Sequence, residues 1–223
     1  MQKFQSDFIE LALFSGALKF GSFTLKSGRI SPYFFNSGVF YSGEYTRALS
    51  VSMANLVARS LPPEKYDVIF GPAYKGIPLA VSLSMALAAK GIDKPWCFNR
   101  KEAKDHGDKG TFVGAPINDG TRLILLDDVF TTGGAKEEAI LQLKSVAKIE
   151  IPAVFILLDR KEKGEDGKNA IREFEIKHKT HVFSMVDSDS IFDYLSANKV
   201  GGKLHVKEAE LLAYKEYKMK YGV

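Results

Sequence analysis

The stretch from Leu123 to Ala135, Leu-Ile-Leu-Leu-Asp-Asp-Val-Phe-Thr-Thr-Gly-Gly-Ala, constrains this chain more than any other. Its apolar start, Leu123 to Leu126, reads as a central strand of a parallel sheet, and in open α/β sheets ligands bind beyond the carboxyl ends of such strands. Asp127 and Asp128 are expected at that end. Thr131, Thr132, Gly133 and Gly134 follow, a turn whose backbone N–H groups and hydroxyls can converge on an anion at the start of the next helix, where the helix dipole also favours negative charge. A carboxylate pair repels phosphate but suits hydrogen-bond donors such as ribose hydroxyls, or a magnesium ion. The loop therefore reads as a site for a phosphorylated sugar. A plain strand end followed by a helix cap would explain Asp-Asp alone, but it leaves the whole string unexplained. A Walker-type ATPase is excluded, because no Gly-x-x-x-x-Gly-Lys-Ser/Thr occurs.

The surrounding pattern is α/β. A helix is expected from about Phe4 to Ser15, then short aromatic-rich strands between Phe23 and Tyr41 with turns at Lys26-Ser27-Gly28 and Ser31-Pro32, and a helix from Glu44 to Ser60. Beyond it, strands at Val68 to Phe70, Trp96 to Asn99, Leu123 to Leu126 and Val154 to Leu158 alternate with helices ending near Lys90 and Ala147. A further helix and strand (Ala170 to Lys177, His181 to Val186) and two terminal helices complete the chain. Such alternation implies right-handed βαβ units and a Rossmann-like parallel sheet. With 223 residues, 45% of them hydrophobic, there is material for one domain, 1–223, with a small hood over about 1–42 and no room for a second catalytic domain.

Charge and cysteine usage narrow the setting. The formal charge of +4 arises from 31 basic and 27 acidic residues without a long basic run, so small anions suffice as partners and nucleic acid is not expected. A single cysteine, Cys97, rules out an intrachain disulfide framework and points to a reducing cytoplasm. Asp7 and Glu10 interrupt the N-terminal apolar stretch, which argues against a signal peptide. The longest apolar run, Ala153 to Leu158, is too short to span a bilayer, so no membrane is expected.

A second turn, Gly71-Pro-Ala-Tyr-Lys-Gly76, also leaves a strand end and opens a helix, offering N–H groups and the Lys75 ammonium to a second anion. An ordinary Gly/Pro turn would read the same in isolation. Two anion pockets on either side of a carboxylate pair, however, suit a sugar that carries more than one phosphate group. The segment from Arg100 to Gly110 lacks hydrophobic periodicity and carries Arg100, Lys101, Lys104, His106 and Lys109. It is expected as a cationic lid, over about 101–112, that covers a bound anion and excludes water.

These pieces carry a resemblance. The Asp-Asp loop resembles the phosphoribosyl-pyrophosphate (PRPP) loop of type I phosphoribosyltransferases. Thr24-Leu-Lys-Ser-Gly28, Ser31-Pro-Tyr-Phe-Phe-Asn36, Arg100-Lys-Glu-Ala-Lys-Asp-His106 and Leu158-Asp-Arg160 resemble the orotate branch, over nearly the whole chain. Purine transferases share only the Asp-Asp loop. The resemblance implies transfer of ribose 5-phosphate from PRPP to orotate, giving orotidine 5-phosphate and pyrophosphate in pyrimidine (UMP) synthesis. It further implies PRPP contacts from Lys26, Tyr74, Lys75, Arg100, Lys101, Lys104, His106 and the run Asp127, Asp128, Val129, Phe130, Thr131, Thr132, Gly133, Gly134 and Ala135. Orotate contacts fall to Phe34, Phe35, Thr131 and Arg160. The catalytic group set is Lys104, His106, Asp127 and Asp128. The cofactor implied is Mg2+, held mainly through PRPP with no dedicated protein ligands, and the assembly implied is a homodimer sharing its lid across the interface. Taken alone, Phe34 and Phe35 would be core or lid aromatics and Arg160 a surface ion-pair partner.

Overall fold

The computed structural model describes residues 1–101, 110–130, 133–164 and 167–223. In chain order its elements are α1 (Lys3–Phe14), β1 (Leu18–Thr24), β2 (Ile30–Phe35), α2 (Gly43–Ser60), β3 (Val68–Phe70), α3 (Gly76–Ala88), β4 (Trp96–Asn99), β5 (Phe112–Gly114), β6 (Arg122–Phe130), α4 (Gly134–Val146), β7 (Glu150–Asp159), α5 (Ala170–His178), β8 (His181–Asp187), α6 (Ser188–Ala197) and α7 (Glu208–Tyr221). Strands β3 to β8 form a six-stranded sheet in the order β5-β4-β3-β6-β7-β8. All of its pairings are parallel except β4 with β5.

Alternation along the strands explains the layering. Leu123 and Leu125 of β6 point to one face, where Ala139, Ile140 and Leu143 of α4 and Phe174 of α5 cover them. Ile124 and Leu126 point to the other, against Leu49, Met53, Leu79 and Leu83 of α2 and α3. Both faces are thus covered, which accounts for the unbroken apolar run that marks this strand. Helix α1 contributes Phe8 and Ile9 to the second face. The chain builds outward from β3 to β4, then crosses back to place β6 on the other side of β3. At that reversal the loops leaving β3 and β6 diverge, and a crevice opens between them.

The hairpin β1–β2 stands apart from the sheet. Its turn closes through Gly28 N–H donating to Leu25 O (2.9 Å), with Gly28 at φ 78°. An aromatic cluster fastens it to the C-terminal helices. Phe192 of α6 stacks on Tyr214 of α7 with ring centroids 3.8 Å apart, and the edges of Phe20 and Tyr33 meet Phe192 at 5.3 and 5.6 Å.

Three expectations need correction. Ser31-Pro32 lies inside β2 and is not a turn: Ser31 pairs with Phe23 and Tyr33 with Phe20, so Pro32 faces the irregularity in β1, where its missing N–H costs no ladder bond. Strand β6 does not stop at Leu126. It runs on to Phe130, with Asp127 opposite Ile156 and Val129 opposite Leu158, because the longer β7 offers a ladder beyond the apolar segment. The sheet is not wholly parallel either: Phe112, expected in the lid, begins the antiparallel edge strand β5, a piece too short to leave a periodic signature.

Replacing Phe192 with Ala should lower the free energy of unfolding by about 3–5 kcal/mol, the usual range for emptying a buried aromatic site. Urea unfolding of the variant checks this, and a loss under about 1 kcal/mol would mean that the cluster is not what fastens the hairpin.

Candidate active site

Two loops meet at the sheet's reversal point. The first leaves β3 as Gly71 to Lys75 and folds back on itself before α3. A Cβ on Gly71 would lie 2.1 Å from Gly76 O, and one on Gly76 would lie 2.7 Å from the Gly71 carbonyl carbon, so both positions require glycine. Gly71 N–H donates to Cys97 O (3.0 Å) and Gly76 N–H to Pro72 O (2.9 Å). Asn99, at the end of β4, accepts from Ala73 N–H (2.9 Å) and donates to Gln142 of α4 (2.8 Å), tying this loop to the helix beyond the other one. The Ala73–Tyr74 peptide is cis. Tyr74 and Lys75 are left exposed at the tip.

The second loop carries the carboxylates, and the two have different partners. Asp128 Oδ2 accepts from the Lys75 ammonium (2.6 Å) and from Ser37 Oγ (2.8 Å), while its Oδ1 accepts from Val129 N–H (2.9 Å). Burial by itself would raise the Asp128 pKa, but the bonds from Lys75, Ser37 and Val129 outweigh it and hold the carboxyl below its ordinary value. Asp127 Oδ1 accepts from Asp128 N–H (2.9 Å), and its Oδ2 pairs with the Lys136 ammonium. Lys136 also donates to Val129 O (2.9 Å) and lies over the Phe130 ring.

The cradle beyond is partly visible. Gly133 takes a left-handed conformation at φ 80°, and a Cβ there would come within 3.0 Å of the Phe130 ring, which packs edge-on against Phe174. Helix α4 starts at Gly134, so the N–H groups of Gly134 and Ala135 belong to its first turn and have no partner within the helix. Thr131 and Thr132 lie outside the described residues, as do Lys104 and His106 of the lid. Next to the lid, Arg100 donates to Gly110 O (2.8 Å) and Lys101 lies over the ring of Tyr74, on the first loop.

The hairpin side is less uniform than its sequence suggests. Successive residues of a strand face opposite ways. The Phe35 ring is accordingly buried among Phe8 and Phe40, whereas the Phe34 ring is partly exposed and stacks on Phe23. Only the backbone of Phe35 can meet a ligand. Lys26 is exposed at the hairpin turn. Arg160 is buried instead of lying at the surface, and follows Asp159, which pairs with Phe130 across the β6–β7 ladder. Its Nε donates to Glu162 (2.7 Å), its Nη2 donates to Ser31 Oγ (2.9 Å), and its guanidinium lies 4.2 Å over the Tyr33 ring. Glu162 also accepts from Arg29 (3.2 Å) and from the Tyr217 hydroxyl (2.8 Å). Burial pushes the Cys97 thiol up to about 11, which leaves it no role as a nucleophile.

Ser37, Asn99 and Lys136 have no place among the site residues expected from sequence. Ser37 and Asn99 act across chain separations that no local pattern encodes. Lys136 did carry a signal, since a lysine in the first turn of a helix opposes the dipole and needs a specific partner.

A family model described as Phosphoribosyl transferase domain matches residues 49–188. The chain is 46% identical over 196 residues to the orotate phosphoribosyltransferase of Haemophilus influenzae, covering 87% of this chain and 90% of that one. Against the orotate phosphoribosyltransferase of Actinobacillus pleuropneumoniae it is 42% identical with both chains covered at 100%. The chain belongs to the orotate phosphoribosyltransferase family. A crystal structure of the Francisella tularensis orotate phosphoribosyltransferase aligns with a TM-score of 0.83 at 41% identity, over 97% of this chain and 99% of that one. As an orotate phosphoribosyltransferase the molecule is a pentosyltransferase of pyrimidine nucleotide synthesis, with orotate and PRPP as substrates.

The glycine requirement of the first loop is testable. Gly71→Ala should destabilise the fold by about 1–3 kcal/mol, because the added methyl meets backbone that cannot swing aside. Thermal melting measures this, and a melting temperature equal to the parent's would contradict the close approach.

Proposed function

We propose that PRPP spans the crevice between the two loops and that orotate binds between it and the hairpin. One observation carries this reading: Asp128 stands between the lysine of the first loop and the helix start of the second, held by Lys75 and Ser37. An acidic group flanked by two anion-binding loops matches a ribose flanked by two phosphate groups. In this arrangement the 5-phosphate rests on the N–H groups opening α4, with Thr131, Thr132, Gly133, Gly134 and Ala135. Asp127 and Asp128 accept from the ribose hydroxyls. Tyr74, Lys75, Arg100 and Lys101 meet the pyrophosphate, joined by Lys26 and by Lys104 and His106 of the lid.

Lys75 is well placed for this exchange, since its side chain is 53% exposed and can turn from Asp128 to the incoming phosphates. Orotate lies against Phe34 and the Phe35 backbone, its carboxylate taken by Arg160, whose fork suits that group. N1 of orotate, giving up its proton to solvent, attacks the anomeric carbon as the bond to pyrophosphate breaks, with inversion and an oxocarbenium-like transition state. The enzyme's contribution is positioning and charge stabilisation, with Lys104 or His106 as proton donor to pyrophosphate. Both aspartates are bonded to lysine, so magnesium would arrive on PRPP with its charge already matched by the phosphates. Bound there, magnesium supplies neutralising charge to the leaving pyrophosphate.

A two-fold homodimer in the cytoplasm completes the reading, with the lid of each chain serving its partner's site. No helix among the described residues is long and apolar enough to cross a membrane.

An absorbance assay of orotate consumption with PRPP and magnesium tests the site. Asp128→Asn should lower turnover by about two orders of magnitude or more with little loss of stability, because Lys75 is exposed enough to be hydrated once its partner is neutral. An unchanged rate would remove Asp128 from the site. Subunit mixing tests the shared lid. Lys104→Ala and Asp128→Ala proteins, each inactive alone, should regain activity on exchange, since about half the dimers become mixed and about a quarter of all sites are then complete. No recovery despite verified exchange would place each lid over its own chain.

A further inference from the structure

We infer that Lys136 is a positioning residue for the transfer reaction, locking Asp127 in place without touching the substrate. The inference rests on the reading that Asp127 faces the ribose. Lys136 sits in the first turn of α4, where the helix dipole disfavours a cation, yet its side chain is only 4% exposed. Something other than the helix must hold it. Its ammonium donates to Asp127 Oδ2 and to Val129 O, and lies 5.0 Å from the centroid of the Phe130 ring in a cation–π contact. Buried and bonded inward to Asp127 and Val129, Lys136 is held away from solvent and from an anion bound at the start of α4.

Asp127 is held from two sides. Oδ2 accepts from Lys136 and Oδ1 from the Asp128 backbone N–H, so the rotamer of one carboxylate and the main chain of the other are fixed together. Each carboxylate oxygen still has a lone pair for a ribose hydroxyl. Charge explains why a permanent partner is needed. Two adjacent carboxylates beside a polyanionic substrate repel it and each other, and each begins neutralised by a lysine. Lys75, at 53% side-chain exposure, can leave Asp128 for the substrate; Lys136, at 4%, cannot leave Asp127. Lys136 therefore keeps half the pair neutralised throughout the reaction.

The test is a double-mutant cycle with Lys136→Met, Asp127→Asn and both, together with Lys136→Arg, each followed by steady-state kinetics on both substrates and by thermal melting. Lys136→Met should lower kcat/KM for PRPP on the order of 10–100-fold while the KM for orotate stays near the parent value. Lys136→Arg should recover most of the loss, and Lys136→Met should cost nothing further once Asp127 is Asn. If Lys136→Met does not fold, Asp127→Asn/Lys136→Met, which buries no unpaired charge, is compared with Asp127→Asn: equal activity supports the inference and lower activity overturns it. Additive losses would also overturn it, because Lys136 would then act on the substrate directly. A folded Lys136→Met with parental kinetics overturns it while leaving the ribose reading intact, provided Asp127→Asn is impaired. Parental activity in Asp127→Asn overturns that reading and the inference together.

Discussion

Parallel pairing of β3 with both β4 and β6 is the constraint on which the site depends. Because both of these neighbours follow β3 in the chain, the direction of growth reverses there, and the loops leaving β3 and β6 face each other across a crevice. The crevice is therefore a property of strand order and is present before any side chain is placed. Its walls are held by residues with no exposure at all, Ile69, Phe70, Ile124 and Leu125 among them. A close-packed floor deforms little, so the loops above it start from fixed positions.

Electrostatics then shape what the crevice can accept. Two unit charges of like sign at about 4 Å repel by about 4 kcal/mol at an effective dielectric of 20, enough to undo much of a small domain's stability if nothing opposed it. Here each carboxylate of the adjacent pair has its own lysine, one from the α3 side of the crevice and one from α4. The two lysines differ in burial, and that difference separates a group able to exchange partners from one that is part of the framework. Ser37, contributed from just beyond the hairpin, ties the same carboxylate to the hood side of the molecule.

The hood is coupled to the sheet through a second charged centre. Arg160 leaves the end of β7 and is bonded to Ser31 of β2 and to Glu162, which also receives Arg29 and Tyr217. Strand end, hairpin and C-terminal helix thus converge on one guanidinium and one carboxylate. Aromatic stacking between Phe192 and Tyr214 backs this junction from within. The hairpin face carrying Phe34 is consequently braced from behind by residues distant from it in the chain.

Much of this was legible in the sequence because it is local. Leu123 to Leu126 announced a buried strand by unbroken hydrophobicity, Gly133 and Gly71 marked turns that admit no side chain, and the order of apolar and turn segments implied the α/β layering. Relationships across the chain were not legible. That Asp128 would be divided between Lys75 and Ser37, that Asn99 would join the first loop to α4, and that Arg160 would be buried on Tyr33 depend on which strands become neighbours. Even β6 outran its apolar segment, since pairing with β7 carries the strand through Asp127 and Asp128, which favour no strand by themselves. Local composition determined the buried core strands and the glycine turns at Gly71 and Gly133, because those follow from backbone sterics and hydrophobic period. Only tertiary structure decided which charge meets which, because that is set by strand order and register, and a contact between residues 91 positions apart leaves no trace in either segment alone.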